Sequence, residues 1–178
     1  MNESVKLRTA SLSDVPIMQS LEVDAARRYG TMKDYEFCTQ LPPRSRAEHI
    51  HVQEHGAAWL VGLGDKVIGF LLALPVDGRA HVLEVATEYG SQGKGFGRRL
   101  FAEFHSWAAD IGYSEVTLTT YRDVPWNAPF YERMGYQIIA VDARRPELMT
   151  IRAEEAAAGF DRAPRVAMER PLRARAIP

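Results

Sequence analysis

The chain has 178 residues, 46% of them hydrophobic and 25% charged, with a formal net charge of −1 at pH 7. That length suits a single domain, 1–178, since two would each be short of core, and the near-zero charge offers no field to draw in nucleic acid or an anionic membrane. Cys38 is the only cysteine, which excludes an internal disulfide and a thiolate-built metal site.

The first residues, MNESVKLR, lack the apolar segment of a signal peptide. The longest apolar run, Val67 to Val76, is about half of what a membrane-spanning helix needs. A soluble cytoplasmic domain is expected.

In chain order, VKLRTA predicts a short first strand. Ser11 then stands as an N-cap with Asp14 three residues on, and Ile17, Leu21 and Ala25 follow at helical spacing. Residues 27–56 mix Tyr29, Tyr35, Phe37 and three histidines with a Pro42-Pro43 break, so irregular helical segments are expected there. The stretch AAWLVGLGDKVIGFLLALPV reads as a hairpin turning near Gly64-Asp65, and AHVLEVATEY as the next strand, after a turn at Asp77-Gly78. A helix follows, with Phe96, Leu100, Phe104, Trp107 and Ile111 on its apolar side. Arg99, Glu103, Ser106 and Asp110 lie opposite, so this helix should cover a sheet, and Gly112 should close it as the C′ residue. EVTLTTY alternates as a strand, and NAPFYERMGY forms a short helix closed by Gly135. A strand near 136–141, a helix near 146–158 and the strand RVAMER complete the order β-α-β-β-β-α-β-α-β-α-β. This predicts an α+β fold, a mixed sheet with helices on both faces.

The stretch SQGKGFGRRL, Ser91 to Leu100, places three glycines at alternate positions between a strand and a helix start. Exposed backbone N–H groups and the positive end of a helix dipole make such a junction an anion site, and glycine lets a phosphate approach closely. A Walker A loop fails here, because Gly95 follows Lys94 where Ser or Thr is needed and Tyr89 stands in the place of the earlier glycine. A dinucleotide fingerprint fails too, because its third glycine would fall on Arg98. On these residues alone the stretch is either an anion cradle or a glycine-rich turn before a surface helix.

What remains is Gln92-x-x-Gly95-x-Gly97, with Gly93 added and Arg98-Arg99 after it. This resembles the pyrophosphate-binding loop of the GNAT superfamily of N-acetyltransferases. NAPFYERMGY is similar to the family's Tyr-x-x-x-Gly-Phe/Tyr segment, matched by Tyr131, Gly135 and Tyr136. The resemblance covers nearly the whole chain and is strongest in these two segments. It implies the GNAT fold, a mostly antiparallel sheet of about six to seven strands, splayed between the fourth and fifth.

The resemblance implies acetyl-CoA as co-substrate, with its pyrophosphate on the backbone of Gln92, Gly93, Lys94, Gly95, Phe96, Gly97 and Arg98. The pantetheine arm would run beside Val85, Ala86 and Thr87, pairing with backbone groups of Val85 and Thr87. A backbone N–H would stabilise the oxyanion of a tetrahedral intermediate. Two proton tasks remain, deprotonating the acceptor ammonium and protonating the leaving thiolate. Glu84, between Val82 and Ala86 on one strand face, is the candidate base, since an apolar setting raises a carboxyl pKa. The plain alternative is a glutamate at a solvated strand end or paired with an arginine such as Arg79. Tyr131 is the candidate acid, and the plain alternative is packing against Met134. Many family members carry a cofactor-contacting asparagine seven residues before that tyrosine, where this chain has Val124. Asn127 lies four before it, and an N-cap is the simpler reading, with a cofactor contact left open.

Other features read plainly. His49, His51 and His55 lack carboxylates at metal-ligand spacing, so no metal is expected. His105 reads as solvated, and Arg144-Arg145 as a solvent-facing loop pair. The predicted function is acetyl transfer from acetyl-CoA to a primary amine of a small molecule, with no nucleic-acid or membrane partner. A second copy of the chain is kept as a candidate partner. Acetylation of a protein or peptide, and a CoA-binding sensor without turnover, are the competing readings.

Overall fold

In a computed structural model, which describes residues 4–172, seven strands form one sheet. They are β1 (Val5–Thr9), β2 (Ala57–Leu63), β3 (Lys66–Val76), β4 (Arg79–Thr87), β5 (Glu115–Tyr121), β6 (Gln137–Ile139) and β7 (Arg165–Pro171). Their order is β1-β2-β3-β4-β5-β7-β6, and β4 with β5 is the parallel pair. That pairing runs from Ala80↔Val116 to Val82↔Leu118, so among the described residues Leu83–Thr87 lie beyond it. Strand β5 continues past it in full antiparallel register with β7, to Tyr121↔Arg165. The helices around the sheet are α1 (Val15–Ala26), α2 (Arg46–His55), α3 (Phe96–Ile111), α4 (Ala128–Glu132) and α5 (Pro146–Ala157). The α+β class and the strand sequence read from the chain are those observed. Two compact units share this framework. One comprises the chain through Leu74 with Leu83–Phe104, the other Pro75–Val82 with the chain from His105 on.

In the first unit, Ser11 opens a 3-10 turn (Leu12–Asp14) before α1 begins at Val15. Asp14 accepts the Ser11 N–H at 2.8 Å and both guanidinium branches of Arg8, at 2.7 and 2.8 Å. This turn shifts the helical phase. The buried face is Val15, Met18 and Leu21, with Ala25 packed beside it, and Ile17 is 39% exposed instead of facing the core as its spacing suggested. That face meets Leu60, Phe70, Leu72 and Ala86 from the strands and Val52 from α2. Residues 27–56 are irregular as expected, with 3-10 turns at Arg27–Thr31 and Glu36–Gln40 before α2.

The α3 stripe also needs correction. Phe96, Leu100, Phe101, Phe104 and Ala108 are buried, whereas Ile111 is 57% exposed and Trp107 only half-buried. By 3.6-residue spacing Ile111 lies on the same side as Phe96, Leu100 and Phe104, so its exposure reflects its place as the last residue of α3 and not a different helix face. Gly112, with φ +101, closes the helix as the sequence implied.

In the second unit, α5 is capped by a residue seventy positions away. The Asp77 carboxylate accepts the N–H groups of Glu147 and Leu148 at 3.0 Å each, and the Glu147 carboxylate accepts the Asp77 N–H. A capping box normally lies within one segment. Here its two halves come from the β3–β4 turn and the start of α5.

Candidate functional site

Strand β4 ends at Thr87, and one 3-10 turn (Tyr89–Ser91) leads into the glycine stretch and α3. Gly93 and Gly95 hold φ +77 and +89, left-handed values that glycine adopts without a Cβ penalty. A Cβ built on either would meet no atom within 4 Å. The protein itself does not crowd these residues, so the space above the main chain is open to a ligand. The first bond of α3 runs from Arg99 N–H to Gly95 O at 3.2 Å. Amides before it have no partner within the helix, and they stand at the positive end of its dipole. Arg98 and Arg99 are exposed there. This geometry fits an anionic group such as a pyrophosphate.

The loop's polar side chains hold it in place. Gln92 Nε2 donates to the carbonyls of Ala25 (3.3 Å) and Thr87 (3.2 Å), tying the loop to α1 and β4. Its Oε1 lies 3.4 Å from Arg28 Nη1. Lys94 Nζ turns back to donate to Gly90 O at 2.8 Å. Phe96 is buried and Gly97 half-buried in the first turn of α3. On β4, Ala86 is buried, with Val85 and Thr87 half-buried, and the Val85 N–H donates to Glu84 Oε1 at 3.2 Å.

Glu84 is half-buried, and its charge partner is Arg44, whose Nε lies 3.5 Å from Glu84 Oε2. The arginine suggested by the sequence, Arg79, pairs instead with Glu115 at 2.6 Å. Arg44 also donates through Nη1 to Glu48 (3.0 Å) and through Nη2 to Leu83 O (2.8 Å). A residue that sequence reasoning passed over stands in the same cluster. Both oxygens of Glu22 accept the Arg44 backbone N–H, at 3.2 and 3.3 Å. Burial first, and then the negative charge of Glu84, push the Glu22 carboxyl up to about 8. Its signal was present in the sequence. Glu22 is four residues after Met18 and seven after Val15, so a helix starting at Val15 turns it toward the buried side.

In the second unit, Tyr131 is buried on α4, its ring edge-on to Tyr136 with centroids 5.9 Å apart. Its carbonyl accepts the N–H groups of Met134 (2.9 Å) and Tyr136 (3.1 Å), which shapes the close after α4. Asn127 occupies the N-cap position, where its backbone carbonyl accepts from Phe130 (2.8 Å) and Tyr131 (3.1 Å), but its side chain makes no capping bond.

Two plain readings are overturned here. His105 is half-buried, with Nε2 2.8 Å from the Tyr136 hydroxyl and the ring nitrogens near Arg170 Nη1. Burial, aided by the Arg170 charge, lowers its pKa to about 3. The amphipathic pattern of α3 gave no hint of this, because Arg170 and Tyr136 lie far along the chain. Arg145 is likewise drawn inward to pair with Glu169, while Arg144 stays exposed beside Asp142. Within α2, His49 is buried with neither ring nitrogen hydrogen-bonded, and the His51 and His55 rings lie 4.4 Å apart. Among the described residues, no helix is long and apolar enough to cross a membrane.

The sequence pattern of the Acetyltransferase (GNAT) family matches residues 21–136. Among solved structures, the fold is similar to that of the ribosomal-protein-S18-alanine N-acetyltransferase from Escherichia coli, with TM-score 0.69 and 15% identity over 95% of this chain and 94% of that one. It is also similar to N-acetylglutamate synthase from Neisseria gonorrhoeae, solved with coenzyme A and N-acetyl-glutamate. There the TM-score is 0.69 and the identity 20%, over 97% of this chain but only 36% of that one. The PaiA N-acetyltransferase from Thermoplasma acidophilum, in complex with coenzyme A, has TM-score 0.65 and 15% identity over 94% of this chain and 99% of that one. At such identities the likeness is one of fold. The family pattern, which spans more than half of the chain and includes both the glycine loop and the Tyr131 segment, shows that this protein belongs to the GNAT family of acetyltransferases and is an acyltransferase.

Proposed function

We propose that residues 1–178 act as one catalytic domain that moves the acetyl group of acetyl-CoA to a primary amine of a small molecule. The observation that carries this reading is the glycine loop, with left-handed Gly93 and Gly95 under open space at the start of α3. The pyrophosphate of acetyl-CoA is assigned to the backbone amides of Gln92–Arg98, and its pantetheine arm to Val85–Thr87. Coenzyme A bound to two proteins of the same fold supports that assignment. Asn127 is kept as a further cofactor contact, supported by its burial at the start of α4.

The reaction has three tasks. Glu84 takes a proton from the acceptor ammonium, leaving the electron pair on nitrogen. The amine attacks the thioester carbonyl, forming the C–N bond through a tetrahedral intermediate whose oxyanion a backbone N–H stabilises. The C–S bond then breaks, Tyr131 protonates the departing thiolate, and the second proton shed by the amide nitrogen restores the phenol. The half-buried position of Glu84 and the buried phenol of Tyr131 support these roles. A cytoplasmic setting goes with this reading, supported by the single cysteine, Cys38, which leaves no internal disulfide to form.

The test follows CoA release from acetyl-CoA with a panel of amines, polyamines, amino acids and peptides, beside calorimetric binding of acetyl-CoA. Release with small amines is the expected result. Release with peptides alone moves the acceptor to protein, and binding without any release makes the chain a sensor. Absence of acetyl-CoA binding overturns the reading.

A further inference from the structure

The cluster around Arg44 holds more negative charge than one guanidinium balances. Glu22 comes from α1, Glu48 from α2, Glu84 from β4, and Arg44 from the segment before α2, all within the first unit. The guanidinium is taken up by Glu48, the Leu83 carbonyl and Glu84, and among the described residues Glu22 accepts from the Arg44 backbone N–H. His49 supplies no second cation, since burial and the nearby Arg44 charge both lower its pKa. Glu48 is held as a carboxylate by Ser45, through its N–H and hydroxyl, and by Arg44, which together outweigh its burial. Burial first, and then the negative charge of Glu84, lead Glu22 to keep its proton near neutrality.

We propose that Glu22 and Glu84 titrate as one carboxyl pair, in which Glu22 is a positioning residue that sets the basicity of Glu84 toward the acceptor ammonium. While Glu22 is neutral, Glu84 is the weaker base of the pair, because Glu22 then adds no negative charge against its ionisation. As Glu22 ionises, two neighbouring anions disfavour each other and Glu84 takes a proton more readily. In the transfer step one N–H bond of the ammonium breaks, its electron pair stays on nitrogen, and one O–H bond forms on Glu84. The inference rests on the reading of Glu84 as the base of acetyl transfer.

Two measurements on the full chain test it. Carbon-13 NMR of the glutamate carboxyls follows Glu22 across pH, and Glu84→Gln should lower its midpoint by about one unit or more. An unmoved midpoint shows that the two groups are not coupled and overturns the proposal. The second is the pH profile of kcat/KM with two acceptors of different amine pKa, so that an ionisation of the amine moves with the acceptor and one of the pair does not. The wild type should show an acceptor-independent rise near the Glu22 midpoint, and Glu22→Gln, whose amide oxygen can still accept the Arg44 N–H, should lose it. A rise that persists in Glu22→Gln overturns the role, whereas a merely structural Glu22 would lower the rate at every pH alike. If no amine or peptide is acetylated, the acetyltransferase reading fails and the positioning role fails with it. The NMR midpoint still reports separately whether the pair exists.

Discussion

The glycine loop and the Arg44 cluster belong to the same compact unit yet are built in opposite ways. The loop is nearly contiguous. Its left-handed glycines, its exposed arginines and the helix start that follows lie within ten residues, so its chemistry is written in one line of sequence. The cluster gathers Glu22, Arg44, Glu48 and Glu84 from four elements, and its key property, a carboxyl that stays protonated near neutrality, belongs to no residue alone. The loop, too, has a non-local part in Gln92, which reaches Ala25 on α1. A functional group can thus be local in its ligand contacts and tertiary in its support.

Substitutions can break this contrast. Gly95→Val should have the largest effect. A β-branched side chain at φ +89 is strained by about 1–3 kcal/mol and fills the open space above the loop, so acetyl-CoA binding should vanish in calorimetry. Intact binding would mean that the phosphates lie elsewhere. Tyr131→Phe should reduce kcat by roughly 10²–10⁴ with little change in acetyl-CoA affinity, as loss of a general acid does. Unchanged turnover would reduce the phenol to a packing group against Tyr136.

The third prediction concerns an assembled cluster in the other unit. The folded pKa of His105, about 3, lies below its ordinary value near 6.5, so the unfolded chain binds the proton more readily. Its contribution to stability is full above pH 6.5 and falls by about 1.4 kcal/mol per pH unit as the solution is acidified toward pH 3. Urea midpoints of His105→Gln between pH 6.5 and 4 should be flatter than those of the wild type. An identical slope would place the acid sensitivity in other groups. The smallest effect is expected from Gln92→Ala. Losing two hydrogen bonds to main-chain carbonyls should weaken acetyl-CoA binding by about 1–2 kcal/mol, roughly ten-fold, while leaving the thermal midpoint nearly in place. If binding is untouched, the loop is held by its glycines and Lys94 alone, and the contrast between local and assembled sites becomes sharper still.

These contrasts explain what could be read in advance. The hairpin turn at Gly64-Asp65, the start of α5 at Pro146 and the close of α3 at Gly112 are punctuated by residues whose backbone preferences act locally, and all stand where the sequence put them. Helix phase was less legible. The 3-10 turn at Leu12–Asp14 delays α1, so Ile17 turned outward and Glu22 turned in, a consequence of Asp14 receiving both Ser11 and Arg8. Partners were least legible. Glu84 met Arg44 and not Arg79, Arg145 met Glu169, and His105 met Tyr136 and Arg170.

By itself the sequence determined the class of fold, the order of its seven strands along the chain and a glycine-rich loop before α3, because periodicity, turn residues and glycine spacing act over a few neighbouring positions. The acetyltransferase reading of that loop came from its resemblance to the GNAT family. Only the tertiary structure decided which charges meet and which of them stay ionised. Burial and Coulomb interaction depend on distance through space, and residues 62 positions apart, such as Glu22 and Glu84, have no shared pattern along the chain to announce that they will influence each other.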